Sequence, residues 1–317
     1  MITGFKSIFD LLKKFPDEQA CIEHMEMLRW GGNVVSPFDP TSKVYKCPKN
    51  RYKCKNTNKY FNVRTGSVFE NTNLPLLKWF MALYIFSSHK KGISSHQLAR
   101  DLDITQKSAW FVLHRLRELF KQDNEIDSIG LEDVVEIDET FVGGKNKNRH
   151  KSKKVENSQG RSFKDKTPVL GILERNGKLF AIPIPDTQQE TIHPIIEQMV
   201  VSGAKVVTDE WGAYKGLESM YDHKVVNHSE KEFVNKKDRS IHNNSLEGAW
   251  SLFKRGIIGI YHWNSRKHMK RYVNEFVLRY NTRTFKTSDR FDIVLSNFNG
   301  RLTYKMLIQK NETPISI

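Results

Sequence analysis

The stretch His242–His262, HNNSLEGAWSLFKRGIIGIYH, constrains this chain more than any other. A helix opening at Ser245 puts Leu246, Ala249, Trp250, Phe253 and Ile257 on one apolar stripe, because a helical period of about 3.6 residues returns them to one side. Glu247, Ser251 and Lys254 fall on a different face, so a carboxylate and a lysine share one side. Two aspartates precede this helix in strand-like settings. VVEIDETFVGG reads as a strand with Val135, Ile137 and Phe141 on one face and Glu136, Asp138 and Thr140 on the other. Glu139 would point with the apolar set, which counts against it as a ligand. A solvated acidic edge strand is the other reading of this segment. Asp209 follows the apolar run KVVT, at the carboxyl end of a buried strand, where α/β sheets build sites. Its alternative role is an acidic N-cap for a helix starting near Trp211. Two strand-borne aspartates and a helix-borne glutamate make a cage for divalent metal: hard cations take oxygen ligands, and phosphoryl transfer commonly uses two ions roughly 3.5 to 4 Å apart.

The partner is suggested by charge. A net charge of +15 over 317 residues favours a polyanion. Nucleic acid stands ahead of acidic membrane, because the chain has no long apolar segment and no lipidation motif. The opening MITGFKSIFDLLKKF alternates apolar with charged residues and lacks the apolar core of a signal peptide, so a soluble cytosolic protein is expected. Three cysteines, Cys21, Cys47 and Cys54, are too few and too irregular for a disulfide framework.

Taken in order, FKSIFDLLKKF and EQACIEHMEMLRW read as two short helices, the second capped by Asp17 and closed by Gly31-Gly32. Residues 33–69 change texture to the short β-like pieces VYKC, RYKCKNT, KYFNV and GSVF, a small ribbon. Neither Cys47 nor Cys54 has a CxxC partner, so the ribbon is read as metal-free. LLKWFMALYIFSSHKKG is apolar nearly all round and should be a buried helix. In the segment after it, Ser94 with Gln97 caps one helix ending near Leu102. Thr105 caps a second, with Ala109, Val112, Leu113, Leu116 and Phe120 apolar. That spacing resembles a helix-turn-helix, which would bring Gln106, Lys107 and Trp110 nearest the bases; an ordinary helical pair is the alternative. Between Lys145 and Lys166 lie nine Lys or Arg against two acids, including Lys145, Lys147, Arg149, Lys151, Lys153 and Lys154. This should be a mobile basic loop, either simply solvated or holding a phosphate backbone near the carboxylates. PVLGILERNGKLFAIPIP reads as a hairpin turning at Asn176-Gly177, Thr187 to Val201 as helix, and Ser265 to Arg283 as a long amphipathic helix.

The motifs DETFVGG, TDEWGAY, His228-Ser229, HNNSLEGAWSLFKRGIIGIYH and RKHMKRYVNEFVLRYNTR together resemble the transposases of bacterial insertion sequences with a DDE catalytic domain. More narrowly they resemble the ISXO-two-like branch, related to eukaryotic Merlin elements. LRWGG, YKCKNTNKYFNVRTGSVFENTNLPLLKWF and HKKGISSHQLARDL are similar to the N-terminal part of that branch, so the likeness covers about residues 18–284. The resemblance implies an RNase H-like fold in which Asp138, Asp209 and Glu247 are the catalytic carboxylates. It implies Mg2+ (or Mn2+) held by the same three residues, with His242 and Asn244 supporting the last helix. The family usually carries a zinc ribbon of paired knuckles. Here the first knuckle reads Ser36-Pro37-Phe38-Asp39 and the second Cys54-Lys55-Asn56-Thr57, so zinc is not expected although the ribbon's shape is.

The expectation is therefore an α/β protein. Residues 1–32 form N-terminal helices, 33–74 a degenerate zinc-ribbon-like region and 75–121 a helix-turn-helix DNA-binding region. An RNase H-like DDE transposase domain follows at 130–285 and a C-terminal extension at 286–317. The expected activity is metal-dependent strand cleavage and strand transfer on the terminal inverted repeats of an element and on target DNA. Lys254 and Arg255 would contact phosphates near the cut. The protein would act on the bacterial nucleoid as a homodimer or larger assembly, since two element ends must be brought together. The alternatives are a nuclease or integrase without transposition, and a DNA-binding regulator derived from a transposase.

Overall fold

The computed structural model describes residues 4–120, 129, 133–144, 150–156, 166–227, 229, 234–236, 238–297 and 300–309. They divide into two compact units, one within Met1–Lys121 and Thr284–Gln309, the other within Gln122–Arg283.

The first unit opens with α1 (Ile8–Lys14) and α2 (Glu18–Trp30). Ser7 and Asp10 form a reciprocal capping box on α1, and Asp17 caps α2 by accepting the Ala20 N–H at 2.8 Å. Gly31 closes α2 in the left-handed region at φ 57°, where a side chain would be strained. A three-stranded antiparallel ribbon follows, β1 (Val44–Cys47), β2 (Arg51–Cys54) and β3 (Tyr60–Phe61), shorter than the β-like pieces expected, with Gly66, Val68 and Phe69 in turns. Its inner face buries Tyr52, Cys54 and Phe61 against Trp30, Val34 and Val44. α3 (Leu76–Ser88) is buried on most sides, as its unbroken apolar run requires. α4 (Ser95–Leu102) and α5 (Gln106–Glu118) are joined by a tight turn with Asp103 at φ 48°, and Ser94 and Thr105 cap them by accepting the N–H three residues on.

The segment expected as a C-terminal extension, from residue 286 on, falls as far as Gln309 in the first unit. α9 (Thr287–Ser296) belongs to the first unit, because Phe291 is wholly buried in an edge-to-face cluster with Phe5 and Phe80, and Arg290 donates to the Ser87 carbonyl. α10 (Tyr304–Ile308) closes this unit, its Tyr304 ring edge-on to Phe111.

The second unit is a five-stranded mixed sheet in the order β6-β5-β4-β7-β8, formed by β4 (Val135–Val142), β5 (Thr167–Glu174), β6 (Leu179–Pro183), β7 (Lys205–Asp209) and β8 (Asp222–Val226). The first three pair antiparallel; β7 runs parallel to β4, and β8 parallel to β7. β4 is thus the central strand, which removes the reading of its acids as a solvated edge. One face packs Ile137, Ile172 and Val206 on α6 (Gln189–Met199) through Ile192 and Ile196. The other packs Val169, Leu173 and Ala181 on α7 (Asn244–Gly256) and α8 (Met269–Asn281) through Trp250, Phe253, Val273 and Val277. α7 begins one residue before the expected Ser245 and runs on into a wider turn of π type at Ile257–Tyr261. The hairpin between β5 and β6 turns through Asn176, at φ 59°, and Gly177 as expected.

Candidate active site

The sheet register brings the two aspartates side by side. Glu136 is opposite Val207 across the parallel pair β4–β7, and two residues further along each strand stand Asp138 and Asp209. Equal steps from a registered pair put both side chains on the same sheet face, the one covered by α7. Glu247 comes from the first turn of α7, one residue after the buried Leu246 that ties the helix down. All three line one cavity of about 650 Å³, with Glu139, Thr140, Lys166, Ser251, Lys254, Arg255 and Ile258 also in its wall. The stripe inferred for the helix is the observed one: Leu246, Ala249, Trp250, Phe253 and Ile257 are buried, and Glu247, Ser251 and Lys254 face the cavity.

Negative charge dominates the surroundings of Asp138 in this cavity. Burial, then the charges of Glu139, Asp209 and Glu247, push the Asp138 carboxyl up to about 8. Asp209 is nearly buried, and its Oδ1 accepts the Trp211 N–H at 3.0 Å, the bond an acidic cap would make. Only the short 3₁₀ turn Gly212–Tyr214 stands in place of the expected helix, and capping and cavity lining occur together. Glu139 departs in part from expectation. Its carboxylate does lie on the apolar side, where the buried Tyr214 hydroxyl donates to it at 2.8 Å, yet it also reaches the cavity wall and adds to the charge around Asp138. Among the described residues no group of three His, Cys, Asp or Glu is gathered closely enough to hold an ion, so the carboxylates share a cavity without forming a closed cage.

A buried network, of which the sequence had pointed only to His242 and Asn244, fixes α7 over the strands. Glu136, wholly buried, accepts from Arg175 Nε at 2.6 Å and from the Leu246 N–H at 2.8 Å. Arg175 also donates to the carbonyls of Ser240 and His242. His242 Nδ1 takes the Asn244 N–H at 3.3 Å and lies 3.2 Å from Arg175 Nη2, while Asn243 reaches the Ile137 carbonyl at 3.4 Å. One carboxylate two residues before Asp138 therefore holds the backbone one residue before Glu247. The signal was Glu136 on the polar face of β4; nothing local marked Arg175, at the hairpin turn, as its partner. Gly171 is the second device. It pairs with Asp138 in the register, and a Cβ there would stand 2.3 Å from the Trp250 ring, so only glycine lets α7 approach so closely.

Of the other residues singled out from the sequence, Lys254 and Arg255 are exposed in the cavity wall, Arg255 bonding the Ser251 carbonyl and hydroxyl at 3.2 Å. Lys151 and Lys154 are exposed beyond β4; Lys145, Lys147, Arg149 and His228 lie outside the described residues, as does the Lys153 side chain. Gln106 and Lys107 belong to the other unit, exposed at the start of α5, with Gln106 bonded to Ser95 at 2.8 Å and Lys107 over the Tyr304 ring at 4.9 Å. In the ribbon, Ser36 Oγ accepts the N–H groups of Phe38 and Asp39, and Cys54 sits buried beside Ser36, Ser42 and Thr57. Burial pushes the Cys54 thiol up, but the polar groups of Ser36, Ser42 and Thr57 around it outweigh that and hold it at about 6. Cys47 is on the opposite face, since it pairs with Arg51 while Cys54 pairs with Val44.

These carboxylates on a mixed sheet lie within a transposase domain: residues 130–281 match the family model of the ISXO2-like transposase domain. The second unit of this chain thus carries an ISXO2-like transposase domain. Over 281 residues the chain is 26% identical to an uncharacterized protein in transposable element ISH50 of Halobacterium salinarum, a span covering 84% of this chain and 92% of that protein. Among solved structures, a pre-cleavage Mos1 transpososome aligns over 92% of this chain and 96% of that one at 14% identity with a TM-score of 0.24, too low for a shared fold to follow. Among the described residues no helix is long and apolar enough to cross a membrane.

Proposed function

We propose that this transposase cuts and joins DNA strands at the ends of its element with a carboxylate triad of Asp138, Asp209 and Glu247. The observation that carries the reading is the convergence of these residues, from β4, β7 and α7, on one cavity that Lys166, Lys254 and Arg255 also line. The strand order and directions of the sheet agree with an RNase H-like domain, and so does a carboxylate on the central strand beside one on its parallel neighbour. α4 and α5 with their tight turn suit a helix-turn-helix, in which Gln106 and Lys107 would meet DNA.

The donor set suits Mg2+ or Mn2+, since every donor is a carboxylate oxygen and the upward-shifted Asp138 marks negative charge that a divalent ion would offset. Asp138 and Asp209 would hold it, and Glu247 would complete the set. When bound, it would activate the attacking water or 3′-hydroxyl and stabilise the leaving oxygen. The chain's own contribution is to bind and orient. Lys254 and Arg255 would hold phosphate oxygens over the carboxylates, and the buried Glu136–Arg175 pair would keep Glu247 in place as the strand enters. Two element ends must be joined in one event, so the acting form is a dimer or larger assembly on the terminal repeats and target.

The test is cleavage and strand joining on a labelled element end with Mg2+. Asp138→Asn, Asp209→Asn and Glu247→Gln should each lower the cleavage rate by more than the roughly 10- to 100-fold that loss of a metal's outer partner costs. End binding should stay near wild type. A Glu247→Gln protein that cuts at the wild-type rate would remove the triad; cutting without joining would leave a nuclease.

A further inference from the structure

The outward face of the ribbon carries a row of rings and cations that packing does not explain. Strand registers place Tyr45 opposite Lys53 and Lys53 opposite Tyr60, so the three side chains cross the sheet in one line on one face. Arg51 stands on the same face two residues before Lys53. The inner face is closed by its own core, whereas Tyr45 is 42% exposed and Tyr60 54%. Lys43 lies 5.5 Å from the Tyr45 ring centroid, and Arg51 and Lys53 lie 5.4 and 5.7 Å from that of Tyr60. At the edge Lys59 sits 5.1 Å from Phe38, itself 39% exposed.

Charge narrows the occupant. From residue 33 to 69 there are eight Lys or Arg and one acid, Asp39. That acid is engaged internally by Thr41 and Asn56. Among the described residues none of Lys43, Arg51, Lys53 and Lys59 forms an ion pair with a carboxylate. Exposed cation–ring pairs contribute only about 0.5 to 1 kcal/mol each, too little to require this many rings and like charges on one small sheet. Exposed rings interleaved with cations suit a strand whose bases are unpaired, since a base can stack on a ring while its phosphate meets a cation. A duplex hides its base faces and offers only phosphates and edges. Tyr45 and Tyr60 are two strand spacings apart, roughly 10 Å, a distance suited to splayed bases rather than to a continuous stack.

We infer that the outer face of β1–β3 binds single-stranded DNA, with Tyr45 and Tyr60 stacking on unpaired bases and Arg51, Lys53 and Lys43 holding the backbone. This stands apart from the carboxylate triad, and either reading can fail alone. The experiment uses the full chain in chelator, so that no strand is cut. Fluorescence anisotropy compares a labelled pyrimidine-rich single strand with a duplex of the same length. Tyr45→Ala with Tyr60→Ala should weaken single-strand binding by roughly tenfold or more, leave duplex binding within about twofold and keep the salt dependence. Tyr45→Phe with Tyr60→Phe retains the rings and should bind as wild type, which separates stacking from a folding defect. Arg51→Gln with Lys53→Gln should instead lower the salt slope by roughly 0.7 for each phosphate deprived of its cation. Photo-crosslinking of an iodouracil-substituted strand, mapped by mass spectrometry, should label Tyr45 or Tyr60. Unchanged affinity in the double alanine variant, equal losses for single strand and duplex, or crosslinks only elsewhere would each overturn the inference.

Discussion

In the ribbon, Cys54 is ringed by neutral polar groups: those of Ser36, Ser42 and Thr57 outweigh its burial and hold its thiol at about 6. In the carboxylate cavity the opposite holds. Burial and the neighbouring Glu139, Asp209 and Glu247 push Asp138 up to about 8, and no cation among its neighbours outweighs them. Both regions gather groups of one chemical type on short elements. The difference separates a buried group eased by its neighbours from one opposed by them. The ribbon supplies polar groups to its thiol; the cavity stacks anions and relies on the rest of the fold to hold them together.

The largest effect should come from breaking what holds the second site together. Arg175→Ala would leave Glu136 charged and buried without its partner, which costs about 3 to 5 kcal/mol in comparable cases and frees the start of α7. Urea unfolding should show that loss, and cleavage should fall in conditions where the variant is still folded. A variant with wild-type stability would mean that the network is incidental. A smaller effect tests the repulsion itself. Asp138 has a folded value raised above its ordinary 3.8, so its contribution favours the fold at low pH and is lost as pH rises towards 8. In chelator, Asp138→Asn should raise the melting temperature by a few °C at pH 8 and by little at pH 5, and Mg2+ should stabilise wild type but not the variant. A destabilised Asp138→Asn protein would remove the contrast with the ribbon.

The smallest effect concerns the ribbon. Cys54 titrates near 6 when folded and near its ordinary 9.0 when unfolded, so the unfolded chain binds more protons between these values. Stability of the first unit should therefore rise with pH from 6 to 9, and Cys54→Ser should flatten that rise. The same protein, purified without a metal-binding tag, should hold no stoichiometric zinc and melt unchanged after chelation. One zinc per chain, lost together with stability, would overturn the reading of the ribbon as metal-free.

The local rules were enough for much of this. The stripe on α7, the caps Asp17, Ser94 and Thr105, the turn at Asn176-Gly177 and the strand setting of Asp138 all follow from side-chain period and short-range hydrogen bonding, which the order of residues determines by itself. Asp138, Asp209 and Glu247, which the sequence singled out by their strand and helix settings, do line one cavity. Pairings between distant residues could not be read in this way. Phe291 joins a cluster with Phe5 and Phe80 and carries the C-terminal segment into the first unit. Arg175 finds Glu136 and His242. Gly171 makes room for Trp250. Tyr214 finds Glu139, and a row of rings and cations lines up only when β1, β2 and β3 take their register. Periodicity says which face of an element is apolar, but it carries no information about which other element covers that face. That choice is made by close packing and by the need of each buried charge for a partner, and both are settled only when the whole chain has folded.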